Sequence, residues 1–281
     1  MKKALLPILV VLLLIAFPAC KKKETKKFPV NLLVEFQPSN LRDAYVTTVK
    51  YHWTPVQGFN LSDDYWVFVH FWDVSTKTMY FLDDHKPPVP FSKWEPGKTI
   101  VYDRTFVLPE YIEEITKKNF PVDFTVGFYN PKTGDKITVF KKRLNIEINP
   151  EVVPQIIYGE GWYSEEFDKE GKTWRWMGKT AICRIENPRK TSILYISGFY
   201  PSPILKDQKI RIYINDKVLD EITTPDFKKI YVLEPSLLGD EDEFELKIET
   251  EKTFIPRQVY KNSKDTRELS VAFRKIFLCV K

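Results

Sequence analysis

The sequence predicts an all-β protein: two antiparallel β-sandwich domains, immunoglobulin-like then jelly-roll-like, behind an N-terminal export segment. Three observations carry this. From Phe28 onward apolar residues recur with a period of two, not 3.6. The runs are short and end in turn-rich stretches, with 20 prolines against 10 glycines in the chain. Aromatics at 15% and hydrophobics at 43% of 281 residues supply more apolar surface than a disordered chain carries.

Residues 65–73 read Tyr-Trp-Val-Phe-Val-His-Phe-Trp-Asp. So continuous an apolar run predicts a strand buried on both faces in the middle of a sheet. A turn at 74–77 leads to a returning strand at 78–82, and residues 99–108 form another. Residues 122–129 and 136–140, joined by Asn-Pro-Lys-Thr-Gly at 130–134, read as a hairpin with a glycine-bearing loop. Only 110–118 has a helical pattern, about two turns long. Strands of this length with proline-rich turns indicate an immunoglobulin-like sandwich over 28–149. Asn-Pro-Glu-Val-Val-Pro at 149–154 is a stiff connector and marks the boundary.

The second domain, 150–281, repeats the strand logic without repeating the sequence. Alternation recurs at 181–185, 192–197, 209–214, 217–222, 229–233, 243–249 and 271–278. Asn215-Asp216 is a two-residue hairpin signal. That many strands in so short a span predict a jelly-roll-like sandwich.

The N-terminus assigns the address. Lys2 and Lys3 precede an uncharged apolar stretch, 4–16, which leads into Phe17-Pro18-Ala19-Cys20. The stretch is shorter than the roughly 20 residues of a membrane-spanning helix and ends at small residues, the pattern of a signal peptide over 1–19. Ala19-Cys20 resembles the bacterial lipobox, with Phe17 departing from the usual leucine. That resemblance implies a lipoprotein: Cys20 is acylated, 20–27 is a lysine-rich tether, and the membrane is a partner through the lipid anchor. The expected location is the bacterial cell envelope, facing the periplasm or the exterior. Lys2, Lys3 and five tether lysines account for seven of the 43 basic residues, and Glu24 for one of the 38 acidic ones. Residues 28–281 therefore hold 36 against 37. The basicity belongs to the tether, where it suits anionic headgroups, and no nucleic-acid partner is expected of a near-neutral folded part.

His70, Asp84 and His85, with Asp83, form the one imidazole-and-carboxylate cluster. Zinc takes three or four ligands in defined geometry, whereas an Asp ahead of a proline-rich loop commonly caps backbone amides. The structural role is the stronger reading, and no metal or other cofactor is expected. Cys183 and Cys279 either pair, as exported cysteines do, or sit apart as core thiols.

Gly161-Trp162-Tyr163 and Trp174-Arg175-Trp176 are the most suggestive constellation. On a strand Trp174 and Trp176 share one face and Arg175 takes the other. Such rings either fill a core or form a platform for sugar rings, with Glu165, Glu166 and Arg175 as polar partners. Arg257 and Arg267, beside Asp265, either knit a loop to a sheet end or bind a ligand. No nucleophile elbow, phosphate loop, zinc-protease helix or dinucleotide fingerprint is present. The three histidines, His52, His70 and His85, all lie in the first half. No catalytic residue is assigned, and the protein is not expected to be an enzyme.

Residues 67–71, 83–88, 94–97 and 126–131 resemble an all-β module of uncharacterised exported bacterial proteins, also met in extracytoplasmic parts of membrane glycosyltransferases. Residues 161–163, 174–176, 253–256 and 265–269 resemble a second module found beside sugar-related machinery, with Ser270 where a glycine is expected. The resemblance implies cell-envelope polysaccharide work. The expectation is a non-catalytic lipoprotein that binds an envelope or extracellular glycan through Trp162, Trp174, Trp176 and Arg175. A scaffold that binds another envelope protein is the alternative, and a metal-dependent hydrolase a weaker one.

Overall fold

The computed structural model describes residues 28–42, 45–108, 119–148, 153–169 and 171–281. The expected signal peptide, Cys20, the expected tether, the expected helix at 110–118 and most of the 149–154 connector lie outside these residues. Among the described residues no helix is long and apolar enough to cross a membrane.

The first half supplies β1 (Val30–Gln37), β2 (Val46–Pro55), β3 (Trp66–Asp73), β4 (Met79–Leu82), β5 (Ile100–Val107), β6 (Asn119–Tyr129) and β7 (Lys136–Glu147). They form two sheets, β1-β2-β5 and β4-β3-β6-β7. The chain changes sheet between β2 and β3, β4 and β5, and β5 and β6, the Greek-key course of an immunoglobulin-like sandwich. Trp53, Phe71, Phe124 and Phe128 fill the space between the sheets. The β6–β7 turn follows from its residues: Asn130 Oδ1 accepts from the Lys132 and Thr133 amides, and Gly134 takes φ of 78°.

The second half supplies β8 (Ile156–Tyr158), β9 (Trp162–Phe167), β10 (Thr173–Met177), β11 (Thr180–Glu186), β12 (Ser192–Phe199), β13 (Ile210–Ile214), β14 (Lys217–Ile222), β15 (Asp226–Leu233), β16 (Glu243–Thr250) and β17 (Ala272–Val280). Two single-turn helices, α1 (Pro235–Leu238) and α2 (Pro256–Val259), interrupt them. The sheets run β15-β12-β17-β10-β9 and β14-β13-β16-β11-β8. From β10 to β13 and from β14 to β17 each successive strand changes sheet, which is jelly-roll winding. Asn215 and Asp216 both take positive φ, 47° and 63°, as a type I′ hairpin turn requires. All described pairings in both halves are antiparallel.

Two findings differ from the sequence reading or close a choice it left open. First, β3 is not buried on both faces. Val67, Val69 and Phe71 enter the core, while Trp66, His70 and Trp72 lie half-buried on the outer face, where Phe68 is fully buried between Gly127 and Lys136. The apolar run is continuous because the outward positions are aromatic, not because a layer covers them. Second, Cys183 and Cys279 are both free. Cys183 belongs to the core of the second sandwich. Cys279 points the other way and, with Tyr195 and Phe277, packs into the first core, where the Phe277 ring lies 5.3 Å from that of Tyr45.

Burial pushes both thiols up to about 12, and thiols rather than thiolates are unreactive toward alkylating agents. Neither Cys183 nor Cys279 should therefore be modified by iodoacetamide in native buffer, and both should be modified in denaturant. Native labelling of either, read by mass spectrometry, would contradict this burial.

Candidate functional site

The second sandwich gathers part of the predicted aromatic set at the β9–β10 edge of one sheet. β10 pairs Trp174 with Glu166 and Arg175 with Glu165. Cross-strand partners share a face, so the alternation separates the two tryptophans from Arg175 as expected. The Trp174 indole N–H donates to Glu166 Oε2 at 3.2 Å. Glu166 Oε1 in turn holds Arg267 Nη2 at 2.7 Å. Arg267 also grips Asp265, through Nε at 3.0 Å and Nη2 at 2.7 Å. Its guanidinium lies 5.2 Å from the centre of the Tyr163 ring, and the Tyr163 hydroxyl donates to the Glu268 carbonyl at 3.0 Å. Pairing with Asp265 first, and with Glu166, keeps Arg267 protonated well above its ordinary range. The same guanidinium holds the Asp265 carboxyl below the usual carboxylate value.

Tyr163, Glu166, Trp174 and Arg267 thus form one patch, half-buried throughout. The two rings are fixed through their polar atoms while part of each stays open to solvent. Both long charged side chains are about a third exposed.

The other predicted residues lie elsewhere. Trp162 turns inward: its indole donates to the Ile182 carbonyl at 3.0 Å, and its ring meets Tyr158 and Phe273 edge-on. Arg175 lies over the Tyr158 ring at 4.5 Å and donates to the Tyr163 carbonyl at 2.9 Å, bridging the two sheets. Glu165 is exposed on the edge strand. Trp176 packs edge-on against Phe199 and Phe254, a separate shelf on the face of Trp174. Arg257 is exposed in α2, and its backbone N–H donates to the Asp265 carbonyl at 2.9 Å, so it braces the loop that carries Arg267. Ser270 needs no glycine-like backbone. Its φ is not positive, and its buried hydroxyl donates to the Gly178 carbonyl at 2.5 Å.

His70, Asp84 and His85 do not converge. His70 Nε2 meets the Asp84 carboxylate at 3.1 Å, and Asp84 Oδ1 also accepts from the Val69 amide. His85 is buried on the other side, with Nε2 against the Tyr102 hydroxyl at 3.0 Å and Nδ1 against the Asp83 carbonyl at 2.7 Å. Among the described residues no group of three or more His, Cys, Asp or Glu is placed to hold a metal.

Burial lowers the His85 pKa, with Asp83 only partly offsetting it. The unfolded histidine takes its proton near pH 6.5, so below that value the unfolded chain binds more protons than the native one, and stability falls as pH falls. Urea midpoints should drop between pH 7 and pH 5, and His85→Gln should flatten that slope. An unchanged slope in the variant would assign the acid sensitivity to another group.

The residues that sequence reasoning missed are on the first sandwich: Trp66, Trp72 and Tyr129, on the outer face of β3 and β6. The signal was present, since Trp66, Phe68, His70 and Trp72 are each two apart.

No protein-family model matches the chain, and no curated protein matches it in sequence. Similar solved structures include the secreted serine protease VesC from Vibrio cholerae, at 13% identity and TM-score 0.25 over 84% of this chain and 48% of that one. This chain thus spans about half of VesC. They also include SGBP-B from a complex xyloglucan utilization locus in Bacteroides uniformis, at 10% identity and TM-score 0.31 over 91% and 74%. Tripeptidyl peptidase 2 follows at 11% and 0.23, over 89% and 20%. Likenesses this low carry no argument about the site or its chemistry.

Proposed function

We propose that this protein is a non-catalytic lipoprotein, held at a membrane of the cell envelope through Cys20, whose second sandwich binds an envelope or extracellular glycan. One observation carries the reading: the Tyr163 and Trp174 rings stand half-open in a single patch with Glu166 and Arg267 fixed between them. Aromatic faces offer apolar contact to the C–H side of a sugar ring. Immobilised carboxylates and guanidinium groups meet its hydroxyls with little further ordering cost. The ion pairs supply hydrogen-bonding geometry rather than stability, because exposed pairs contribute little.

The test is binding of the full chain, in detergent, to a broad glycan array, with Trp174→Ala and Arg267→Ala beside it. Saturable binding that weakens about tenfold or more in either folded variant is expected. Wild-type binding that both variants retain would remove the patch from the proposal, and no binding to any glycan would remove the function.

A further inference from the structure

We infer that the outer face of the first sandwich is a second, independent binding site, one that takes an extended acidic polysaccharide. The face is built by strand alternation. Along β3, Trp66, Phe68, His70 and Trp72 point away from the core while Val67, Val69 and Phe71 enter it. Phe68 is covered, at 1% exposed, so Trp66, His70 and Trp72 are the open positions. Six residues of extended chain separate Trp66 from Trp72, so the row runs about 20 Å. Tyr129 widens it beside Trp66, with ring centres 6.4 Å apart.

The row is held in place by its neighbours. Phe68 lies across Gly127, where a Cβ would come within 2.7 Å of its ring, and Lys136 caps the other side at 4.2 Å. The His70 ring lies 4.9 Å from Phe68, tilted by 42°, and 5.7 Å from Trp72, edge-on at 72°. Lys136 Nζ can only donate, so at 3.3 Å it makes His70 Nδ1 an acceptor. His70 Nε2 then carries the proton that faces Asp84. The Trp72 indole N–H donates to Thr125. Trp66, Trp72 and Tyr129 are the half-buried aromatic rings of this row, and they are spread along the strand, a layout for a ligand that follows it.

Charge selects the ligand. Lys86 stands over Trp66 and Lys136 over Phe68. Lys141 is opposite Thr125 on the same face, and exposed. The carboxylates that share the face are engaged: Asp123 by Lys77 and Arg143, Asp84 by His70 and the Val69 amide. The rim is therefore cationic, which suits a chain of uronate-type sugars and raises its rate of encounter. The patch on the second sandwich is the reverse, with its Arg267 already paired with Glu166 and Asp265. The acidic ligand accordingly belongs to the first sandwich.

The test titrates the full chain, in detergent micelles, with an alginate hexamer and with neutral cellohexaose, following tryptophan fluorescence. Trp72→Ala and a Lys136→Gln/Lys141→Gln pair are the variants, the second altering only exposed side chains. Trp174→Ala serves as a control in the other patch. The expected result is saturable alginate binding that weakens with salt, falls about tenfold or more in each variant, and is unchanged in the control. Alginate binding equal to cellohexaose binding, or retained in the lysine variant, would overturn it. So would protection of Lys136 and Lys141 from acetylation by phosphatidylglycerol vesicles alone, which would assign the face to a bilayer.

Discussion

Trp53→Ala should cost about 3–5 kcal/mol of stability, the range for emptying a large aromatic site in a core. Trp53 is fully buried, with Phe128 at 4.9 Å, Trp94 at 5.7 Å and Tyr51 at 6.5 Å between ring centres. Rings interlocked on several sides cannot all collapse into the vacancy, so the upper half of that range is expected. Its indole N–H also donates to the Tyr102 hydroxyl at 3.3 Å. That hydroxyl keeps a partner in His85, so the lost hydrogen bond is a minor part of the cost. Trp53→Phe should therefore recover most of the stability. Urea unfolding of the two variants measures the difference, and equal losses would mean that the hydrogen bond outweighs the packing.

Gly161→Ala should destabilise the second sandwich by about 2–5 kcal/mol, from left-handed backbone strain and overpacking together. Gly161 has φ of 78°. A Cβ there would stand 1.8 Å from the Thr180 carbonyl oxygen and 2.8 Å from Ala181 Cα. Both are backbone atoms of β11 or its entry, which cannot rotate aside. Gly171 is the control. Its φ is 82°, but open space surrounds its missing Cβ. Asn tolerates left-handed backbone, so Gly171→Asn should cost less than about 1 kcal/mol, whereas Gly161→Asn should be no better than alanine. Circular dichroism melts of the three variants decide it, and a mild Gly161→Asn would show that conformation, not contact, is what matters there.

Local chemistry made the turns and most strands legible. Asn130 to Gly134 and Asn215-Asp216 act within a few residues, so their geometry is written in adjacent side chains. In the second half 217–222 is matched residue for residue by β14, and 181–185 lies one residue inside β11 at each end. Pairing between distant strands was not legible, and the site depended on it. Period two places Trp174 and Trp176 on one face, but only the β9–β10 register brings Glu166 to Trp174. The loop after α2 then returns Arg267, about a hundred positions later in the chain, to Glu166. The same limit explains β3: a string of apolar letters does not distinguish a covered face from an aromatic one. The two cysteines show it again, since strands of one sandwich direct one thiol into its own core and the other into the neighbouring core.

The place of β17 in its sheet sets an order of assembly. It is the last strand in the sequence, yet it lies between β12 and β10 and hydrogen-bonds to both. A chain emerging N-terminus first can pair the two sheets of the immunoglobulin-like sandwich early, because β1 to β7 pair only among themselves, with Tyr195, Phe277 and Cys279 added to its core later. The jelly roll must wait with β12 and β10 exposed, each offering an unpaired edge to any neighbouring strand. A stop codon before Ala272 would therefore leave two separate ribbons instead of a shortened sheet. During synthesis and passage to its final place, this half of the molecule is the one that needs shielding from its own copies.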